Sequence, residues 1–439
     1  MFFKRYTILC EFTILQPTCP RGSVSPQDKS KLDLSGIAKL IKAHRLSKVK
    51  TMLLTISAFL SLAMVGFFHT ILGTALPAMR LSFEMDMAQA GLLGSAVWLG
   101  FTAAVFAGGT LSDFFPRHRI LMLACLMIGL SAIFFGMWHP FGLNCLFIGV
   151  LGAGTGVIVS SSSALVMGLY PKKEGVIMNV HHFFYAIGAI TGPLLMGYVL
   201  ERGWHWQWIY RIGGTWMLIV SGSFALQRIR FTREKSSLGH RSLFHLLKEK
   251  NLILLILITI FGVGAQNGLY LWLVSFLKEA QSFPIFQASI GLSLFSIGVA
   301  AGRLVSGGLA AKIKNTRVLL ILLGSLNMVL ILFMCVSHHH LILLLCLSAG
   351  LACSGLFPVT LTLGGINYPQ RAGTTIGIIG TAAGIGGTIV SWLISIVSQK
   401  IALEAGFFIT LSAAAFIALV LVGIYYKRLK ESETKQSMA

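Results

Sequence analysis

Gly109-Thr-Leu-Ser-Asp113-Phe-Phe-Pro-Arg117-His118-Arg119 is a short polar hinge between two long apolar runs, and 198 residues later Gly307-Gly-Leu-Ala-Ala311-Lys312-Ile-Lys314-Asn-Thr-Arg317 repeats the arrangement. The same offset superposes Gly66 on Gly264, Gly152 on Gly350, Tyr170-Pro171 on Tyr368-Pro369, Gly175 on Gly373 and Gly188 on Gly386. Most of these pairs are Gly or Pro, the residues that fix backbone shape, so the two halves are expected to share one fold.

Outward from these hinges, apolar runs of bilayer-spanning length occur at about 52–76, 90–112, 119–138, 143–169, 177–200 and 209–227. They resume at about 251–277, 288–310, 318–337, 341–364, 374–398 and 407–426. A span needs roughly 20 apolar residues. The reading is an all-α membrane protein of twelve transmembrane helices, in two six-helix bundles repeated in parallel. Charged residues are only 11% of 439, against roughly 25% in a soluble domain, and the mean hydropathy is +0.81.

The net charge of +21 would suit a nucleic-acid binder if it lay on one face. Instead, Lys and Arg concentrate in alternate loops and both tails, the positive-inside distribution that places both termini in the cytosol. No nucleic-acid partner is therefore expected, and the bilayer is. Trp204, Trp206 and Trp208 at one boundary, and Tyr425 with Tyr426 at another, suit interfacial anchoring.

The expected division is a cytosolic basic tail over 1–51, disordered, then an N-terminal bundle over 52–227. A basic linker follows over 228–250, then a C-terminal bundle over 251–426 and a cytosolic tail over 427–439. The first tail holds ten Lys and Arg against Glu11, Asp28 and Asp33, and its apolar stretch lacks the cleavage site of a signal peptide. It is either a native extension or an over-long start, since Met52 opens the first apolar run. The seven cysteines show no metal-ligand spacing and no disulfide framework. Neither a cofactor nor a metal is expected, and the chain is expected to be a monomer.

The 109–119 hinge resembles the signature of the major facilitator superfamily, Gly-x-x-x-Asp-(Arg/Lys)-x-Gly-Arg-(Arg/Lys). Gly109, Asp113, Arg117 and His118 fall on motif positions, with Arg119 beside them, whereas Phe114 and Pro116 depart from the pattern. In the second copy Gly307, Lys312 and Arg317 keep the glycine and the basic positions, and Ala311 replaces the acid. The resemblance implies a secondary transporter in the bacterial inner membrane that works by alternating access, with its site between the bundles. It also implies a gating role for this loop, in which the Asp113 carboxylate pairs with a cation or a helix N-terminus. The alternative is a positive-inside loop with an incidental acid.

The run Asn179-Val-His181-His182-Phe-Phe-Tyr185-Ala-Ile-Gly188-Ala-Ile-Thr-Gly192-Pro193, with Gly350 to Pro358 and Gly384 to Gly387, is similar to the fucose-permease-like branch of that superfamily. Its Gly188-x-x-x-Gly192-Pro193 stretch also resembles a fifth-helix motif common among antiporters. A small polar solute, such as a sugar, follows from that likeness. The alternative is an exporter or exchanger of organic anions or drugs.

All fourteen acids fall in tails, loops or helix ends. Proton-coupled members of the family carry a membrane-embedded Asp or Glu, which argues against carboxylate-based proton symport here and leaves a coupling ion open, a proton carried by His69 among the alternatives. His69 pairs with Asn267 under the 198 offset, and both are candidates for the substrate cavity. Trp98, His182, Tyr185, Gln266, Arg303 and Trp392 join them as cavity candidates. Each has a packing alternative, since polar side chains also hold transmembrane helices together. Arg303 is the cation inside an apolar run, a position that costs ~2.5–3.5 kcal/mol unless water, carbonyls or an anion receive it. A solute sensor would need an output domain and a membrane enzyme would need embedded acids, and neither is evident.

Overall fold

The computed structural model describes residues 34–170, 174–227, 248–336, 338–368 and 372–438. The helices among them are α1 (Leu34–Ser82), α2 (Met87–Phe114), α3 (Arg117–Phe134), α4 (Phe141–Leu169), α5 (Glu174–Glu201) and α6 (Gln207–Ala225). There follow α7 (Lys250–Ser275), α8 (Ile285–Ala310), α9 (Asn315–Cys335), α10 (His339–Cys353), α11 (Leu356–Asn367), α12 (Ala372–Lys400) and α13 (Leu403–Met438). A π-helical turn, Phe276–Ala280, continues α7. The protein is all-α, with a helix at each of the twelve expected spans.

Three details differ from the sequence expectation. Residues from Leu34 to Thr51, expected as disordered tail, are helical. The stretch after Gly36 has no Gly or Pro and is rich in Ala, Leu and Lys, all good helix formers. The tenth span is two helices, broken at Ser354–Gly355. Pro358 supplies the reason, because its ring displaces the carbonyl four residues earlier and it has no N–H to give. Among the described residues eleven spans are long and apolar enough to cross a membrane, α10 and α11 together counting as one. Gln207–Ala225 is absent from that set, because Gln207, Tyr210 and Arg211 dilute its first turns. The expected linker at 228–250 lies mostly outside the described residues.

The repeated glycines make repeated helix crossings. A Cβ on Gly100 would fall on the Gly149 carbonyl oxygen, and one on Gly152 on that of Val97, where α2 crosses α4. At the same register, Gly298 meets the Leu347 carbonyl and Gly350 that of Phe295, where α8 crosses α10. Gly66 and Gly188 bring α1 onto α5 at the Tyr185 and Ala63 carbonyls, and Gly264 and Gly386 bring α7 onto α12. Apolar helices in lipid associate by close packing rather than by expulsion of water, and a missing Cβ permits that approach. Even the turns agree: Tyr170 has φ −133° and ψ 60°, and Tyr368 has φ −131° and ψ 60°.

Two long contacts join the first six helices to the later ones, α2 against α12 and α5 against α8. Hydrogen bonds across these seams cluster at the end where α1 and α7 finish. The Met87 amide donates to Gln399 Oε1 at 2.9 Å, and the Phe286 amide to Glu201 Oε2 at 3.4 Å. One level deeper, Ser95 donates to the Thr388 carbonyl and Ser293 to that of Ile190. At the opposite end of α8, a Cβ on Gly307 or Gly308 would meet nothing within 4 Å, and the same holds for Gly380 in α12.

Candidate functional site

Beneath the joined end lies a small cavity lined by Phe68, His69, Leu72, Val97, Trp98, Asn267, Tyr270 and Leu271. The lining comes from α1, α2 and α7. Close approach of these helices makes the wall thin. A Cβ on Gly73 would fall on the carbonyls of Tyr270 and Leu271, and one on Gly387 would meet the Trp98 ring at 2.6 Å and Asn267 Nδ2 at 2.9 Å.

His69 is the centre of the cluster. Its Nδ1 shares a hydrogen bond with the Tyr185 hydroxyl. Its ring meets Trp98 edge-to-face at 4.9 Å and Tyr270 at 4.6 Å. Its Nε2 is buried and has no hydrogen-bond partner. Asn267, the repeat counterpart of His69, donates instead to the Ala383 carbonyl at 3.4 Å. Ala383 is itself 198 residues beyond Tyr185. The same two backbone positions therefore meet in each half, by a side-chain pair in one and by a side chain on a carbonyl in the other.

Arg303 approaches from α8. Its guanidinium carbon sits 6.0 Å from the centroid of the Tyr185 ring, and its charge bears on His69, His182, Tyr185 and Tyr270. Its Nε is buried with no hydrogen-bond partner. Arg80–Glu279 is the ion pair found among the described residues, so Arg303 has no carboxylate partner among them. The described acids Glu84, Asp86, Glu201, Glu249, Glu279, Glu404 and Glu431 lie at helix ends and in loops.

The structure thus gathers His69, Trp98, Tyr185, Asn267 and Arg303, with Gln266 buried beside Tyr270 and His182 at the edge near Arg303. Trp392 stands apart from the group, 41% exposed. On α12, Gly384 and Gly387 turn toward α2, and Trp392 stands on another side. His181 is fully buried in packing, with Nε2 at 3.0 Å from the Ser162 hydroxyl of α4. Tyr270 was missed by sequence reasoning. It stands one turn beyond Gln266 and Asn267, a spacing that keeps side chains on one helix face and could have flagged it.

Among the gating candidates, Arg117 donates to the Ala164 carbonyl at 3.1 Å, and Arg317 meets the Tyr426 hydroxyl at 3.4 Å. Arg119 and Lys312 are exposed. Gly109 and Asp113 lie in the last turns of α2, with side chains outside those described. Gly188 packs on α1, Gly192 packs on Thr70 and Ile71, and Pro193 sits inside α5.

A model of the Major Facilitator Superfamily matches residues 58–391. The chain is 25% identical over 388 residues to a probable hexose phosphate transport protein of Chlamydia pneumoniae, covering 79% of this chain and 85% of that one. It is 22% identical over 380 residues to the glucose/mannose transporter GlcP of Bacillus subtilis, covering 83% and 91%. The fold matches the solved nucleoside transporter NupG with a TM-score of 0.72 at 15% identity, over 86% of this chain and 99% of that one. A bacterial homologue of the lysosomal transporter Spinster matches with a TM-score of 0.67 at 14% identity, over 86% and 96%. The chain belongs to the major facilitator superfamily and is a multi-pass secondary transporter of small solutes.

Proposed function

We propose that the protein moves a small polar solute of sugar size through the cavity at His69, by alternating access between its two six-helix halves. The observation that carries this is the convergence of His69, Trp98 and Tyr185 from the first half with Asn267, Tyr270 and Arg303 from the second on one point. Aromatic faces at Trp98 and Tyr270 suit the apolar face of a pyranose or a ring of like size. Neutral donors and acceptors at Gln266, Asn267 and Tyr185 suit hydroxyl groups. Relatives named for hexose phosphate and for glucose and mannose support the same class.

The seams close at the end of α1 and α7, and the opposite end of α8 and α12 faces open space. With both termini cytosolic, as the loop charges indicate, hydrogen-bonded closure at the outer end supports a state open to the cytosol. Solute binding would draw α5 and α8 together around Tyr185 and Arg303. The expected division at 52–227 and 251–426 supplies the two moving bodies, with 1–51 and 427–439 as cytosolic tails in the inner membrane of a bacterium. In this reading Asp113, Arg117 and Lys312 act at the cytosolic ends of α2 and α8.

Uptake of a labelled hexose and hexose-phosphate panel into proteoliposomes tests the reading. Saturable uptake that falls at least ten-fold in Asn267→Ala and Trp98→Ala supports it. Uptake by those variants equal to the unaltered protein would place the solute elsewhere.

A further inference from the structure

Arg303 presents a charge problem that neutral solutes do not solve. A guanidinium within an apolar span is stabilised by water, by carbonyls or by an anion. Here its Nε is buried without a partner, and no carboxylate pairs with it among the described residues. Among the described residues, the titratable side chains that feel its charge are His69 on α1, His182 and Tyr185 on α5, and Tyr270 on α7. None of these supplies a negative charge in its ordinary neutral form.

The second orphan stands in the same cluster. His69 Nδ1 is taken by Tyr185, which leaves Nε2 buried and unpaired. If Nδ1 accepts the Tyr185 proton, Nε2 is the nitrogen that carries hydrogen, and it is then a donor without an acceptor. Two buried donors from opposite halves therefore lack an acceptor, and one of them is permanently charged. Val105 occupies the repeat position of Arg303, so the charge is a departure from the shared scaffold.

We infer that the cavity takes a solute bearing an oxyanion, phosphoryl or carboxylate, with Arg303 and His69 as its receptors. This rests on the cavity being the solute site. Guanidinium forks match both oxyanions geometrically, and charge-assisted hydrogen bonds are the strong class. An anion here also spans the seam, because Arg303 belongs to α8 and His69 to α1. The bound charge is then the link that lets the two halves close over the solute.

The test uses the full chain in nanodiscs, with thermal shift read against four probes at equal ionic strength: glucose, glucose 6-phosphate, glucuronate and inorganic phosphate. A ligand of the folded state raises the melting temperature by mass action. Glucose 6-phosphate or glucuronate should stabilise at concentrations where glucose does not. A phosphoryl site responds to glucose 6-phosphate and phosphate, and a carboxylate site to glucuronate. Arg303→Gln should weaken the anionic probe by about ten- to a hundred-fold, and Arg303→Lys should lie between. The comparison of charged with neutral probe on the unaltered chain needs no variant to fold. Equal stabilisation by glucose, undiminished anion affinity in Arg303→Gln, or no response to any anionic probe would overturn the inference. The first two leave the transport of a polar solute standing, and labelled uptake decides that separately.

Discussion

The Arg80 guanidinium donates to the Glu279 carboxylate at 2.6 Å, joining the end of α1 to the π-helical turn that extends α7. Both side chains are partly solvated, 21% and 30% exposed, and a pair of this kind contributes roughly 0–1 kcal/mol. That is small for folding and large for a balance between two conformations. Glu279→Gln should lower the ratio of closed to open molecules at this end by up to about five-fold. Distances between spin labels in the 83–86 and 281–284 loops would report it. The effect should shrink in high salt, and exchanging the two charges, Arg80→Glu with Glu279→Arg, should restore it. Unchanged distances in Glu279→Gln would deny the pair any gating role.

Gly188→Ala should be severely destabilising, because the added carbon falls on the Ala63 carbonyl of α1. Overpacking costs about 1–3 kcal/mol where neighbours can shift, and backbone shifts less readily than a side chain. Gly386→Ala should behave alike at the repeated crossing. By contrast Gly307→Ala and Gly222→Ala meet open space and should be neutral or mildly stabilising, by up to about 1 kcal/mol, in a helix. Melting temperatures of the four variants give the answer in one experiment.

Tyr185→Phe should separate function from stability. It removes the hydroxyl that holds His69 and leaves the ring near Arg303 in place. Solute affinity should fall about ten-fold, with a change in stability near 0.6 kcal/mol, the usual worth of an interhelical hydrogen bond. A stability loss without any change in uptake would mark the pair as structural.

Ser162→Ala should act in the opposite way. It takes the partner from His181 Nε2, a buried ring whose Nδ1 is already unpaired. The expected result is about 1–3 kcal/mol of lost stability with the solute affinity of folded protein intact. Loss of affinity at unchanged melting temperature would move His181 into the solute path.

Much of this architecture could be read from sequence because shape is carried by residues with few options. Glycine at 100, 152, 298 and 350 dictates helix crossings wherever it occurs. The cavity was partly legible for the opposite reason: His69, Asn267 and Arg303 are costly in lipid and must have a use. Tyr270 was missed since an aromatic in an apolar run serves core and cavity equally well. Trp392 stands apart from the cluster because its side of α12 depends on where Gly387 docks, which composition does not record. The break at Ser354–Gly355 was legible in Pro358 but hidden inside an uninterrupted apolar run.

Two mechanical kinds stand out among the glycine contacts. Within each half, Gly66, Gly152, Gly188, Gly350 and Gly386 press against backbone atoms. Across the seam, Gly91, Gly94, Gly197 and Gly384 press against the tips of Ser395, Leu271, Ser289 and Thr102, and Gly73, beside the cavity, is the one of these that meets main chain, at Tyr270 and Leu271. A joint made of main chain tolerates no drift, and a joint made of side-chain tips can be retuned one substitution at a time. Such a molecule is stiff where it must keep its shape through every cycle and adjustable where its working rate is set. Lineages descended from it can change speed or cargo without relearning how to fold.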